Sequence, residues 1–181
     1  MVTIKVDDEI TLRVPELDDA ARLFGLINRN REYLRKFLPW VDYSKTIKDS
    51  EDFIRESQQM IKEGKGLNFC LLYKNKIGGT IGLHYIDKVN KKTELGYWLA
   101  EDLQGQGVMT RSCRGLIDYV RNELGLHRIE LRAAVDNTAS CRMAERLGFT
   151  KEGILREIEM VNGKFVSLIV YSLLSTDKEE R

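Results

Sequence analysis

Residue types that would announce a chemistry are scarce in this chain of 181 residues. Its three cysteines, Cys70, Cys113 and Cys141, are odd in number, far apart and without metal-ligand spacing, which argues against a disulfide framework and a zinc site. All three read as thiols. The two histidines, His84 and His127, sit in apolar or helix-end surroundings with no carboxylate or cysteine partner close in sequence, so a structural role is expected for both. Charge of one sign is lacking as well. With 29 basic and 28 acidic side chains the net charge is +1, so bulk attraction would hold neither nucleic acid nor a membrane surface. No apolar run reaches the roughly 18 residues of a spanning helix. Met1 to Asp8 lacks the charged and apolar regions of a signal peptide, and a cytoplasmic protein is expected.

What the chain does hold is core material. At 43% hydrophobic and 31% charged it suits one α/β domain over residues 1–181, with residues 176–181 as a frayed tail. Thr11 to Val14 is a short β-type run closed by Pro15. Glu16 to Asp19 then opens a helical segment with Leu17, Ala20, Ala21, Leu23, Phe24 and Ile27 at helical spacing. The pattern from Arg31 to Leu38 predicts another helix, ended by Pro39. Trp40 to Tyr43 puts aromatic bulk on a loop, either as a core or dimer anchor or, with Leu38 and Pro39, as the lining of a substrate groove. Asp49 to Asp52 is expected to cap a third helix through Phe53, Ile54, Met60 and Ile61.

Past Gly64 the hydrophobic period falls to two. Leu67 to Tyr73, Ile77 to Tyr85 and Thr93 to Ala100 read as an antiparallel meander, with Gly96 marking a bulge or the close approach of another backbone. Val108 opens a helix with Met109, Cys113, Leu116, Ile117, Val120 and Leu124 on its core face, stopping at Gly125. Arg128 to Val135 is a further strand. Asp136-Asn137-Thr138 caps a short helix whose Ala139, Met143, Ala144 and Leu147 face inward. Strand, loop, helix and strand make one parallel β-α-β step. Asn162-Gly163, between the β runs Ile154 to Val161 and Phe165 to Leu174, is the strongest hairpin signal in the chain.

The stretch from Leu95 to Thr110 organises the rest. An apolar strand runs into a loop broken by Gly105 and Gly107, and a helix follows. Glycines there allow positive φ, which turns successive N–H groups toward one point, while the first helical turn adds unpaired donors and a positive dipole end. An anion of pyrophosphate type would fit. The spacing is not that of a Walker A loop, and Gly64-Lys65-Gly66 does not supply one either. A dinucleotide fingerprint would need a third small residue where Met109 to Ser112 offers mostly bulk.

The loop resembles the Q/R-x-x-G-x-G/A motif of the GNAT superfamily of N-acetyltransferases, with Gln104, Gly107 and position 109 in the motif places. Position 109 is Met where the family has Gly or Ala. Two further stretches are similar to the same superfamily, and to its Rim-type enzymes that acetylate ribosomal-protein N-termini. They are Glu94-Leu95-Gly96-Tyr97-Trp98-Leu99 and Val135-Asp136-Asn137-Thr138-Ala139-Ser140 with Glu145-Arg146-Leu147-Gly148-Phe149.

The resemblance implies a single-domain α/β GNAT fold, with a mixed central sheet, an antiparallel meander, one parallel β-α-β step and flanking helices. It implies acetyl-CoA as cosubstrate, with no metal. Its pyrophosphate would lie on the backbone of Gln104, Gly105, Gln106, Gly107, Val108, Met109 and Thr110, and its pantetheine arm beside Trp98, Leu99 and Ala100. Asn137 would cap and orient, Ser140 would serve the CoA sulfur, and a backbone N–H near Leu99 would meet the oxyanion. Glu159 is the implied base. Strand alternation puts Glu157 on the same face, so Glu157 stays a rival. A covalent route through Cys113 or Cys141 lacks an evident activating base. The implied acceptor is a protein N-terminus, as of a ribosomal protein, in a homodimeric enzyme. The alternatives are a polyamine, amino acid or antibiotic acceptor, or a CoA-binding module without turnover.

Overall fold

The loss of helical period at Gly64 is where the chain, described over residues 2–177 in a computed structural model, passes from helices into long strands. Before that point come two short strands, β1 (Thr3–Lys5) and β2 (Ile10–Arg13), then α1 (Ala20–Arg29), α2 (Arg31–Leu34) and α3 (Ile47–Lys62). Strand β1 has no clear signal in the residue pattern. It exists by antiparallel pairing with β2.

Two helix expectations are corrected. The helix expected from Arg31 to Leu38 stops after one turn, because Leu38 precedes proline and is held extended at φ −122° and ψ 92°. The Arg31 guanidinium reaches the Val41 and Ser44 carbonyls and pins a 3₁₀ turn over Pro39–Asp42. Helix α3 starts earlier than expected, with Thr46 as its N-cap. Thr46 and Asp49 close a reciprocal capping box, so Asp49 sits one turn inside the helix.

The later elements are β3 (Leu67–Tyr73), β4 (Lys76–Asp87), β5 (Lys92–Leu99), α4 (Val108–Asn122), β6 (Arg128–Ala134), α5 (Thr138–Arg146), β7 (Thr150–Val161) and β8 (Lys164–Leu174). They form one mixed sheet in the order β1-β2-β3-β4-β5-β6-β8-β7, in which β5 and β6 run parallel and the other described neighbours antiparallel. Alternation sorts the core into two layers. Phe69 and Leu71 of β3 pack with Leu116 and Ile117 of α4, while Cys70 faces Leu23, Ile27 and Ile54 of α1 and α3 on the other side. The last hairpin turns on Asn162 (φ 50°) and Gly163 (φ 73°), as Asn-Gly predicts. At the chain's end Asp177 accepts from the Leu174 N–H at 2.8 Å, and the remainder of the expected tail, 178–181, lies outside the described residues.

One buried ion pair ties β2 to the start of α1. Asp19 is 2% exposed, accepts from Arg13 Nη2 at 2.9 Å and from the Glu16 N–H at 2.8 Å. Removing one partner of such a pair leaves an uncompensated buried charge. Asp19→Ala is therefore expected to cost about 3 kcal/mol of unfolding free energy, near the low end for buried pairs because Arg13 keeps some solvent contact. A urea melt showing a loss under about 1 kcal/mol would contradict this.

The sheet's parallel step positions the site. Pairing of β5 with β6 runs only from Lys92↔Arg128 to Leu95↔Leu131. Beyond it, β5 stays with β4 as far as Leu99 and β6 stays with β8 as far as Ala134, so a wedge opens between them. Gly96 is not the bulge expected from the sequence. It pairs in register with Gly82, and the irregularity lies in β4 between Leu83 and Ile86. The His84 ring lies over the glycine, where a Cβ would overlap Nε2 unless the exposed ring swung aside. A side chain, rather than another backbone, makes the close approach.

Candidate active site

The wedge exposes main-chain hydrogen-bonding groups. Ala100 N–H donates to the Gly78 carbonyl at 2.8 Å, so alternation turns the N–H groups of Leu99 and Tyr97 the other way, toward the gap that β6 has left. Downstream, Gly105 (φ 72°) and Gly107 (φ 70°) both hold left-handed conformations, and Gly107 is the N-cap of α4 with no side-chain cap. The first turn of α4 keeps its unpaired N–H groups. A Cβ on either glycine would meet nothing within 4 Å.

Two clefts meet at the wedge. The narrower, about 210 Å³, is lined by Trp98, Leu99, Gln104, Gly105, Gly107, Val108, Met109, Thr110 and Asn137, all expected at a cofactor. Ala100 and Gln106 do not line it. Ala100 is buried against α1 and α3, and the Gln106 side chain folds back onto the Asp102 carbonyl. Ala139, expected to face inward, lines the narrow cleft instead. Gln104 Nε2 donates to the Tyr33 hydroxyl across the cleft. Arg146 is the one charged side chain among the described lining residues, so its field favours an anion there.

The wider cleft, about 960 Å³, has the opposite character. Asp49, Asp52, Glu56, Glu94 and Glu159 border it, against Arg132 and His84. Trp40 lines it too, with its ring centroid 6.2 Å from that of Trp98, so this loop tryptophan borders a cleft rather than filling the core. Glu159 borders the cleft and Glu157 does not. The alternation that made them rivals is broken by a bulge between Leu155 and Glu159, where Glu157 takes φ 50° and its N–H donates to Ser167 Oγ at 3.0 Å.

Tyr97 and Ser140 border both clefts. Asn137 caps α5 by accepting from the Ser140 N–H at 3.2 Å, which fixes where Ser140 stands. Burial pushes the ionisation of the Tyr97 hydroxyl well up, so it is a neutral donor. It lies close to Ser140, but no partner among the described residues meets it in hydrogen-bond geometry. A buried hydroxyl left unpaired where two clefts join is what a ligand would satisfy. Cys113 and Cys70 do not compete for a covalent role. Burial pushes Cys113 well up and Cys70 up to about 12. No cluster of three or more potential metal ligands occurs among the described residues.

Sequence reasoning missed Tyr33, Tyr97, Arg146 and the His84–Glu94 pair as site residues. Tyr97, Glu94 and Arg146 carried a usable signal, since all three lie in stretches with family resemblance.

A splayed parallel strand pair followed by a glycine-rich helix N-terminus makes a domain suited to an extended ligand that carries an anionic group. Residues 9–150 match the Acetyltransferase (GNAT) domain family, and the chain belongs to it. It is therefore an acetyl-CoA-dependent N-acetyltransferase. It is 39% identical to YdaF of Bacillus subtilis (strain 168) over 180 residues, covering 99% of this chain and 98% of that one. Among solved structures it is similar to the microcin C7 self-immunity acetyltransferase MccE in complex with acetyl-CoA and AMP, with 37% identity, a TM-score of 0.90 and 94% of each chain covered. It is also similar to RimL, the ribosomal L7/L12 α-N-protein acetyltransferase, in complex with coenzyme A. There the identity is 26%, the TM-score 0.93 and the coverage 96% of this chain and 98% of that one.

Proposed function

We propose that this protein acetylates the N-terminal α-amino group of a protein of ribosomal type, by direct transfer in a ternary complex in the cytoplasm. One observation carries the direct transfer: two clefts of opposite electrostatic character meet at Tyr97, Trp98, Asn137 and Ser140. The narrow cleft, with the free N–H groups and Arg146, suits acetyl-CoA, which supplies the activated acetyl group. The acidic wide cleft suits a cationic acceptor. The similarity to RimL favours a protein N-terminus over other amines.

Each step then has a group to serve it. The N–H groups turned into the wedge at Leu99 and Tyr97 face the place where negative charge develops on the acyl oxygen. Glu159 takes a proton from the amine, and the Ser140 hydroxyl serves the departing sulfur. An α-amino group, with an ordinary pKa near ~7.7 to 8.0, is already partly neutral at cellular pH, so a carboxylate acting through water is base enough.

A small-molecule acceptor is the second reading. It is favoured by Trp40 and Tyr43, which present open ring surface on the wide cleft, and by the AMP in the MccE complex. Initial rates with a ribosomal-type N-terminal peptide, spermidine and an aminoacyl nucleotide decide between the two. Turnover of the peptide at least tenfold faster than the others is expected, and turnover of either small molecule alone would overturn the protein assignment. Homodimerisation belongs to the same proposal, since the last hairpin exposes Ile154, Ile158, Met160 and Phe165 on an edge strand and its neighbour. A monomer mass by light scattering would remove it.

A further inference from the structure

The bulge in β4 and the paired glycines, Gly82 and Gly96, together place one imidazole where the wedge begins. Gly96 is the first residue of β5 past the last β5–β6 pair, and the His84 ring covers it with Nε2 closest. His84 Nδ1 lies 3.6 Å from Glu94 Oε1, while Arg132 Nε lies 3.5 Å from the other carboxylate oxygen. His84 and Arg132 together hold the Glu94 carboxyl below the usual range, so it stays ionised. Its side chain is 15% exposed and that of His84 is 58% exposed. The pair thus runs from a half-buried anion to a ring open to solvent, and both members border the wide cleft with Glu159.

Proton bookkeeping gives such a pair a task. Turning a primary ammonium into an amide forms one C–N bond, breaks the thioester C–S bond and removes two protons from nitrogen. One proton ends on the sulfur as the thiol departs. The other must reach solvent. Glu159 accounts for one of these transfers, which leaves the second without a carrier.

We propose that His84, oriented by Glu94, is a second proton acceptor on the acceptor side of the wedge and the exit by which one amine proton reaches solvent. The carboxylate draws Nδ1–H toward itself, leaving Nε2 as the basic nitrogen. The resulting imidazolium is stabilised by Glu94 and discharges through its exposed face. The charged and titratable groups that line the wide cleft with the ring are Glu94 and Tyr97 on β5, Arg132 on β6, Glu159 on β7, Asp49, Asp52 and Glu56 on α3, and Tyr43, of which Glu94 is the one paired with His84.

The inference rests on the wide cleft being the acceptor side, and its test separates the two. The probe is whichever of the N-terminal peptide or spermidine turns over faster, with CoA affinity measured in parallel. His84→Ala is expected to lose at least tenfold in kcat with the Kd for CoA unchanged, and added imidazole to restore most of it. His84→Gln is expected to alter the pH–rate profile, and Glu94→Gln, which removes the orienting carboxylate, to lower kcat in the same direction. Trp40→Ala reports on the cleft alone. If it raises the acceptor KM while the His84 variants keep the native pH profile and ignore imidazole, the proton exit is overturned and the cleft assignment stands. If the acceptor KM does not respond to Trp40→Ala, the cleft assignment falls and the proton exit falls with it.

Discussion

Glu159→Gln is expected to lower kcat by about 10² to 10⁴-fold, the range over which a positioned general base contributes, while the Kd for CoA stays unchanged. Glutamine keeps the shape and the hydrogen-bonding carbonyl and removes the basicity, so a fall in kcat isolates proton transfer from packing. Position supports the assignment. Glu159 borders the wide cleft and does not line the narrow one that includes the glycine-rich loop, so it can be lost without removing a residue of that loop's cleft. Glu157→Gln is the control, because that residue is turned away by its own bulge. Steady-state rates with calorimetric CoA binding check both. If Glu159→Gln retains full activity, the base assignment fails; if Glu157→Gln carries the loss instead, the bulge does not hold in solution.

Gly107→Val should raise the Kd for CoA by about tenfold or more, corresponding to at least ~1.4 kcal/mol. A Cβ at this position clashes with nothing, so the free protein has room for the side chain. The damage comes from the backbone. At φ 70° a β-branched residue is strained by about 1 to 3 kcal/mol, and relaxing that strain rotates the N-cap away from the geometry that aims the N–H groups of the loop. The added side chain would also stand in the open space through which, in the proposed binding mode, a diphosphate approaches. Gly107→Ala, with less bulk but the same disfavoured φ, should fall between the native protein and the valine variant. Titration calorimetry measures the effect, and a thermal melt shows whether the domain itself persists. Native CoA affinity in a folded Gly107→Val protein would mean that the loop does not carry the diphosphate.

Both substitutions bear on parts of the site that were legible to different degrees. Gly105 and Gly107 announced their backbone conformation directly, because positive φ is a local property that glycine permits and most residues resist. The helix after them was legible for the same reason, from the spacing of Cys113, Leu116, Ile117 and Val120. Glu159 was reached only through resemblance, since strict alternation could not separate it from Glu157. A bulge depends on how two strands settle against each other, and neither strand shows it alone. The helix predicted from Arg31 to Leu38 failed for a related reason. Arg31 finds carbonyl partners in Val41 and Ser44, beyond the proline, which a local window does not weigh.

The residues by themselves determined the period of most of the longer elements, the turns at Gly64, Gly107 and Asn162-Gly163, and the single parallel step, because these follow from φ preference and from which side chains repeat on one face. Only the tertiary structure decided that β5 and β6 part after Leu95, that His84 lies over Gly96, and that an anion-favouring cleft and an acidic one join at Tyr97 and Ser140. Those facts depend on contacts between segments far apart in the chain, where packing of the whole sheet, rather than any local preference, sets the distance.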